Sequence, residues 1–242
     1  MHLSLSDEMH PFNMEDKEKN SFTPIVEESE LLHQEITTLF KATIDIETDI
    51  ADIANQGDYD LLLVGLGKSI FEGTILGKVI GFTTRIINPD RLIDKFTGKE
   101  GLFENSPFDE RTRQIISKTK MPLGILIDKE LQEVNQVFVP IFNSDDSFLI
   151  DYVQKLIYNN NSKVMVLDVN EHINSNFVIK SAINSLEEKY PQNITLMKER
   201  IIKKEFLSNQ DLMIISLESW KTLVETRSIW LSRVPSVLIL KQ

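Results

Sequence analysis

Gly65, Gly67, Lys68 and Ser69, followed by Gly73 and Thr74, are the residues whose types and spacing best suit chemistry in this chain. They come directly after the apolar run 61–64. A glycine-rich turn behind a buried strand lets backbone amides approach a phosphate closely, and a lysine there offsets its charge. A Walker loop needs one more glycine, five positions before the second, so that successive amides wrap the phosphates. That position is Leu62, inside the apolar run, so the Walker motif is rejected. The plainer reading of the same glycines is a tight strand-to-helix connection, which glycine punctuates in any case.

Other polar groups have structural explanations beside the functional ones. Arg111 and Arg113 with Asp109 and Glu110 read as an anion site or, more simply, as a solvated helix face. Asp145 and Asp146 stand where a helix N-cap belongs, and capping accounts for them without a metal. His172 falls in a predicted loop after a strand end, but His2, His10, His33 and His172 share no metal-ligand spacing. There is no cysteine, which excludes disulfides, thiolate metal sites and cysteine nucleophiles together. No nucleophile–base pair or carboxylate pair stands at a recognisable spacing, and the chain reads as a non-enzyme.

The elements that must position these residues repeat. Asp60 opens the run LLLVGLG, and the helix-like RTRQIISKT then leads into MPLGILID; Asp211 opens LMIISL, and RSIWLSR then leads into VPSVLIL. Each copy is an acid, an apolar strand, an amphipathic helix, a proline and another apolar strand. Continuous apolar strands alternating with helices mark a parallel sheet covered on both faces. The spacing predicts strands over 36–43, 61–64, 137–142, 164–169, 194–197 and 212–217. It predicts a helix with Ile46, Ile50, Ile53 and Ala54 on one face, capped by Asp45 and ended by Gly57. Further helices are expected at 111–118, 147–158 and 176–190, with a last one carrying Trp220, Leu223, Trp230 and Leu231 toward the final strand. Ser106 and Pro107 read as the cap and first turn of the 111–118 helix. Leu3 and Leu5 alternate with polar residues as in a short strand, and the acidic stretch 7–20 reads as a flexible loop. The fold expected is α/β, two tandem doubly wound parallel-sheet domains over 1–133 and 134–242. The first has an insertion at 65–108 and lacks its opening strand–helix unit.

The totals narrow the function. Net charge is −11, from 26 basic and 37 acidic side chains, a field that repels phosphate backbones and anionic lipids. A nucleic-acid partner is therefore not expected. No apolar run approaches the roughly 18 residues of a membrane span, and the acidic N-terminus is no signal peptide, so direct membrane insertion is not expected either.

The segments HLSLSDE, DYDLLLVGLGKSIFEGTILGK, ERTRQIISKTKMPLGILIDK and QVFVPIF, in that order, resemble tandem universal stress protein domains of the adenine nucleotide alpha hydrolase-like type. More narrowly they are similar to the cytoplasmic C-terminal region of monovalent cation:proton antiporters of the sodium/hydrogen exchanger type. The resemblance is carried by the order of segments, strongly over 36–170 and weakly beyond. It implies a regulatory and assembly role in Na+/H+ or K+/H+ exchange, and a membrane transport domain of the same polypeptide, preceding Met1, as partner. It also implies a homodimer and a place at the cytoplasmic face of the inner membrane. Gly73, Gly77 and Gly81 recur every fourth residue, a face suited to close packing on the sheet, on a second subunit or on that transport domain.

Nucleotide-binding stress proteins space their turn as glycine, two residues, glycine, nine residues, glycine, then serine or threonine. Gly65, Gly67, Gly73 and Thr74 preserve that chemistry but not that spacing. An adenine nucleotide is the cofactor the resemblance offers, with Lys68 and Ser69 beside the phosphates. A free-standing tandem stress protein binding an adenine nucleotide or cyclic dinucleotide is the alternative. In the second half, Phe142 stands where such proteins carry a base-contacting aspartate, and Glu218, Ser219 and Trp220 replace the glycines.

Overall fold

Val137, Val139 and Ile141 alternate with Phe138 and Pro140 along one strand, and every one of them is buried. Only a strand covered on both faces tolerates this pattern. The computed structural model describes residues 2–5, 14–66, 108–197, 202, 204–226 and 228–242. Gly67, Lys68, Ser69, Gly73 and Thr74 lie outside the described residues, as do Ser106 and Pro107 and nearly all of the predicted insertion.

The chain forms two compact units, residues 1–58 with 114–120, and residues 59–113 with 121–242. The first contains strand β1 (His2–Leu5), helix α1 (Met14–Leu31), strand β2 (Phe40–Thr43) and helix α2 (Ile46–Gln56). Strands β1 and β2 pair in parallel, His2 opposite Phe40 through Leu5 opposite Thr43. Asp45 caps α2 by accepting the Thr48 N–H, and the Gly57 N–H closes it on the Ile53 carbonyl, as the sequence predicted. The predicted loop over 7–20 is corrected: from Met14 it is the first half of α1. Glu and Lys are good helix formers whatever their charge, so an acidic stretch is no evidence against a helix. The strand predicted over 36–43 is only its last four residues.

After strand β3 (Leu62–Leu66) come helix α3 (Glu110–Lys118) and strand β4 (Leu123–Ile127). Asp109 caps α3 by accepting the Thr112 N–H at 2.8 Å. The second copy then runs β5 (Gln136–Ile141), a 3₁₀ turn (Ser144–Phe148), α4 (Leu149–Asn160) and β6 (Lys163–Asp168). It continues through α5 (His172–Ser175), α6 (Phe177–Lys189), β7 (Ile194–Met197), α7 (Lys204–Ser208), β8 (Leu212–Ser216), α8 (Leu217–Glu225), a 3₁₀ turn (Ile229–Ser232) and β9 (Ser236–Lys241). The predicted final helix is thus two pieces. Thr226 and Ser228 break it, and Ser228 caps the second piece through the Trp230 N–H.

Seven strands form one sheet in the order β3-β4-β9-β8-β5-β6-β7, parallel throughout except between β4 and β9. Val137, Val139 and Ile141 of β5 pack with Leu149, Val153, Ile179 and Ile183 of α4 and α6 on one face. On the other face Phe138 meets the rings of Phe206 and Trp230 edge-on at 5.3 and 5.9 Å. Trp220 and Trp230 are both buried. This is a doubly wound α/β sheet.

The repeat in the sequence becomes a local two-fold in this sheet. β4 and β9 run antiparallel with Ile125 opposite Ile239, and an axis through that pair exchanges the two strands. It carries Leu123 onto Val237. Leu62 pairs with Leu123 as Met213 pairs with Val237, so Leu62 maps onto Met213. The same step takes Asp60 to Asp211, the two acids that open the copies.

Candidate functional site

Open α/β sheets receive ligands outside the carboxyl ends of their strands, where the strand order reverses. Here that point lies between β5, whose chain continues to β6 and β7 on one side, and β8 on the other. Proline helps to open it. Residues 135 and 141 of the β5 segment accept hydrogen bonds from Lys163 and Val169, and Gln136 accepts from Asp211. By alternation Pro140 therefore faces β8, where it supplies no N–H. The β5–β8 ladder accordingly stops at Val137 opposite Leu212 and Phe138 opposite Met213.

Asp146 spans the gap. Its side chain is 1% exposed. One carboxyl oxygen accepts the N–H groups of Phe142 at 2.8 Å and Asn143 at 3.2 Å. The hydroxyl of Ser216 donates to the other oxygen at 2.5 Å, and that of Ser219 reaches both at 3.0 and 3.2 Å. Ser216 also caps α8, its oxygen accepting the Ser219 N–H. The N-terminus of α8, with its partial positive charge, is thus met by a carboxyl group of the chain itself. The reading of Asp145 and Asp146 as N-caps is corrected: Asn143 is the cap, and Asp146 returns the bond as the reciprocal partner of a capping box. That return contact holds it in the interior.

The neighbouring strand ends are tied in the same manner. The Asn170 amide donates to the Phe142 carbonyl at 2.8 Å. Asp168 accepts the N–H groups of His172 and Ile173 at 2.8 and 3.0 Å, so His172 enters this end of the sheet through its backbone as the start of a helix. Phe142 itself is buried. Arg113 pairs with Glu110 along α3, and Arg111 is exposed on the same helix.

Of the predicted glycine turn, Gly65 alone is described, in β3. A Cβ placed there would meet nothing within 4 Å, so this glycine is not required by close packing. Gly124 differs: a Cβ would lie 3.0 Å from the end of Leu63 and 3.4 Å from Leu238 and Leu240. Among the described residues, no group of three or more His, Asp or Glu is placed to hold a metal.

A cleft of about 610 Å³ lies at the opposite, amino ends of β5, β8 and β9, lined by Lys129, Glu133, Gln210, Asp211 and Arg233 among others. Asp211 accepts the N–H groups of Asn135 and Gln136 there at 2.9 and 2.8 Å, which is what the acid opening the second copy does. Lys129 donates its ammonium to the Val234 carbonyl at 2.8 Å, and burial lowers its pKa. Strand amino ends are not where such sheets bind ligands, so size alone does not make this cleft the site.

The fold has solved counterparts. The cytoplasmic domain of a prokaryotic cation chloride cotransporter superposes with a TM-score of 0.53 at 15% identity, over 98% of this chain and 82% of that one. A protein of unknown function from Pseudomonas aeruginosa gives 0.49 at 10% identity, over 98% and 80%. A universal stress protein from Archaeoglobus fulgidus gives 0.47 at 12%, over 95% and 78%. No protein-family model matches the sequence, and no curated protein does. The likeness to the cotransporter domain establishes a shared fold. No helix among the described residues is long and apolar enough to cross a membrane.

The sequence reading missed the seal made by Asp146, Ser216 and Ser219, and the role of Pro140. One signal was present, a proline inside an otherwise unbroken central-strand pattern. The serines gave none, because 70 residues separate Asp146 from Ser216.

Proposed function

We propose that this chain is a regulatory and assembly module of a cation:proton antiporter, itself non-catalytic, working on the cytoplasmic face of the membrane as a homodimer. The observation that carries the reading is Asp146. It occupies the helix N-terminus at the switch point, where a nucleotide phosphate would have to bind, and four donors of the chain satisfy it. A doubly wound sheet sealed at this crevice serves as a scaffold. Shared fold with a cotransporter's cytoplasmic domain and the order of segments favour a transporter as what it is attached to. Its partner is then the membrane transport domain of the same polypeptide.

Ion flux through the full-length protein, with and without residues 1–242, tests this. Deletion is expected to change the rate or its response to internal pH. Equal flux and equal responses in both forms refute regulation.

Gly65, exposed and with open space around it, favours a second reading for the first half alone: an adenine nucleotide or cyclic dinucleotide held with Gly67, Lys68, Ser69, Gly73 and Thr74. Calorimetric titration with ATP, AMP and a cyclic dinucleotide decides it, since absence of heat at millimolar ligand removes the sensor.

A further inference from the structure

The cleft at the amino ends of β5, β8 and β9 differs from the sealed crevice in its polar groups. Asp146 has internal donors for both of its oxygens. Gln210, which lines the cleft, is 7% exposed, and its Oε1 accepts no hydrogen bond among the described residues. Exchanging the two ends of the amide does not cure this. Its Nε2 donates to the Phe206 carbonyl at 3.2 Å, and the exchange would set oxygen against oxygen. A buried acceptor in this state costs stability, and a ligand that donates to it removes that cost.

The charges around Gln210 define the kind of ligand. Lys129 and Arg233 line the cleft with Glu130, Glu133 and Asp211, so two cations face three acids. A carboxylate alone has no proton to give Gln210, and phosphate meets an excess of negative charge. A simple cation is repelled by Lys129 and Arg233. A molecule carrying both signs answers both sets of groups. The walls are held in place to receive it. Lys129 is tied at both ends, its N–H on the Ser236 hydroxyl at 2.9 Å and its ammonium on the Val234 carbonyl at 2.8 Å. Asp211 takes the N–H groups of Asn135 and Gln136 on one oxygen, Oδ2. Glu130 keeps a φ of 65°, left-handed backbone that glutamate rarely adopts and that clusters at ligand sites. A volume of about 610 Å³ is within the range of small-molecule sites.

We infer that this cleft binds a small zwitterion, an amino acid or dipeptide, its carboxylate at Arg233 and Lys129 and its ammonium at Gln210 Oε1 and Asp211. The planar guanidinium fork of Arg233, exposed at the cleft, suits a carboxylate bidentately, and an ammonium brings three donors. The inference needs neither a transport domain nor the glycine turn.

Thermal melts of the 242-residue protein with glycine, serine, glutamate, lysine, leucine or glycylglycine, each at about 10 mM, test it. At least one is expected to raise Tm by about 3 °C or more, the shift for a Kd near about 1 mM. Acetate and ethylamine, which carry one half each, and phosphate are expected to leave Tm unmoved. Arg233→Met changes an exposed side chain, and calorimetry is expected to show binding weakened at least about 10-fold. Gln210→Met removes the buried acceptor and is expected to weaken binding as well. No shift with any of the six probes overturns the inference. Equal stabilisation by acetate or phosphate also overturns it, as does unchanged binding in Arg233→Met. Zwitterion binding together with unchanged ion flux on deletion keeps this site and overturns the proposed function.

Discussion

Replacing Asp146 by alanine tests the seal at the switch point most directly. The substitution removes the acceptor of two backbone N–H groups, Phe142 and Asn143, and of the Ser216 and Ser219 hydroxyls. The hydroxyls can rotate to other acceptors, but the two N–H groups are fixed by the chain. An orphaned buried donor costs about 1–3 kcal/mol; the Phe142 N–H is buried and the Asn143 N–H only half-buried, which sets the loss at roughly 3 kcal/mol. That is a large share of the stability of a domain of this size. Asp146→Asn keeps the shape and one acceptor oxygen but turns an NH₂ toward a donor, so about 2 kcal/mol is expected. Ser219→Ala should cost only about 1 kcal/mol, because it removes a bond without stranding a fixed donor. Urea unfolding monitored by circular dichroism measures all three, with an unchanged denaturant slope showing that the native state is intact. The alanine variant should also regain an empty anion site at the N-terminus of α8. Phosphate at high concentration is then expected to raise its Tm while leaving the parent protein unmoved. A loss below about 1 kcal/mol on Asp146→Ala, or equal stabilisation of both proteins by phosphate, refutes the view that this carboxyl group seals the crevice.

Three further outcomes are expected. Asp211→Ala strands the N–H groups of Asn135 and Gln136 where β5 begins, and partial solvent access keeps the loss to about 1–2 kcal/mol in the same urea assay. Gly124→Val drives a branched side chain against Leu63, Leu238 and Leu240 and should cost about 1–3 kcal/mol; Gly124→Ala costs less, because the exposed end of Leu63 can move aside. Lys129 has its pKa lowered by burial, so between that lowered value and the ordinary 10.5 the unfolded chain holds the proton and the folded chain does not. Stability gains a contribution that rises with pH through this window and is absent below it. Thermal melts of the parent protein and of Lys129→Met across the alkaline range should differ in slope there, and parallel curves refute the assignment.

Local patterning determined much of this fold from sequence alone. Strand 194–197 is legible to the residue, because Ile194, Thr195 and Leu196 favour extended backbone and the turn residues Pro191 and Asn193 stand just before them. Asp45 and Gly57 bounded α2 for the same reason, a cap being a local contact between residues three or four apart. The doubly wound class followed from strands and helices alternating in order. Charge misled at 14–20, where the backbone is helical despite the acidic sequence, and the break between Trp220 and Trp230 was invisible because apolar spacing continues across it.

The tertiary structure decided what the repeat means and where the crevice went. Two similar segments in sequence carry no information about whether their sheets join; the antiparallel pairing of Ile125 with Ile239 joins them. The same holds for Asp146, which reads as one more helix cap until the fold brings Ser216 and Ser219 to it across 70 residues. Side-chain periodicity reports which face of an element is buried, and those faces were legible. Which residues meet across the sheet depends on strand order, and strand order is set by the summed packing of the whole chain.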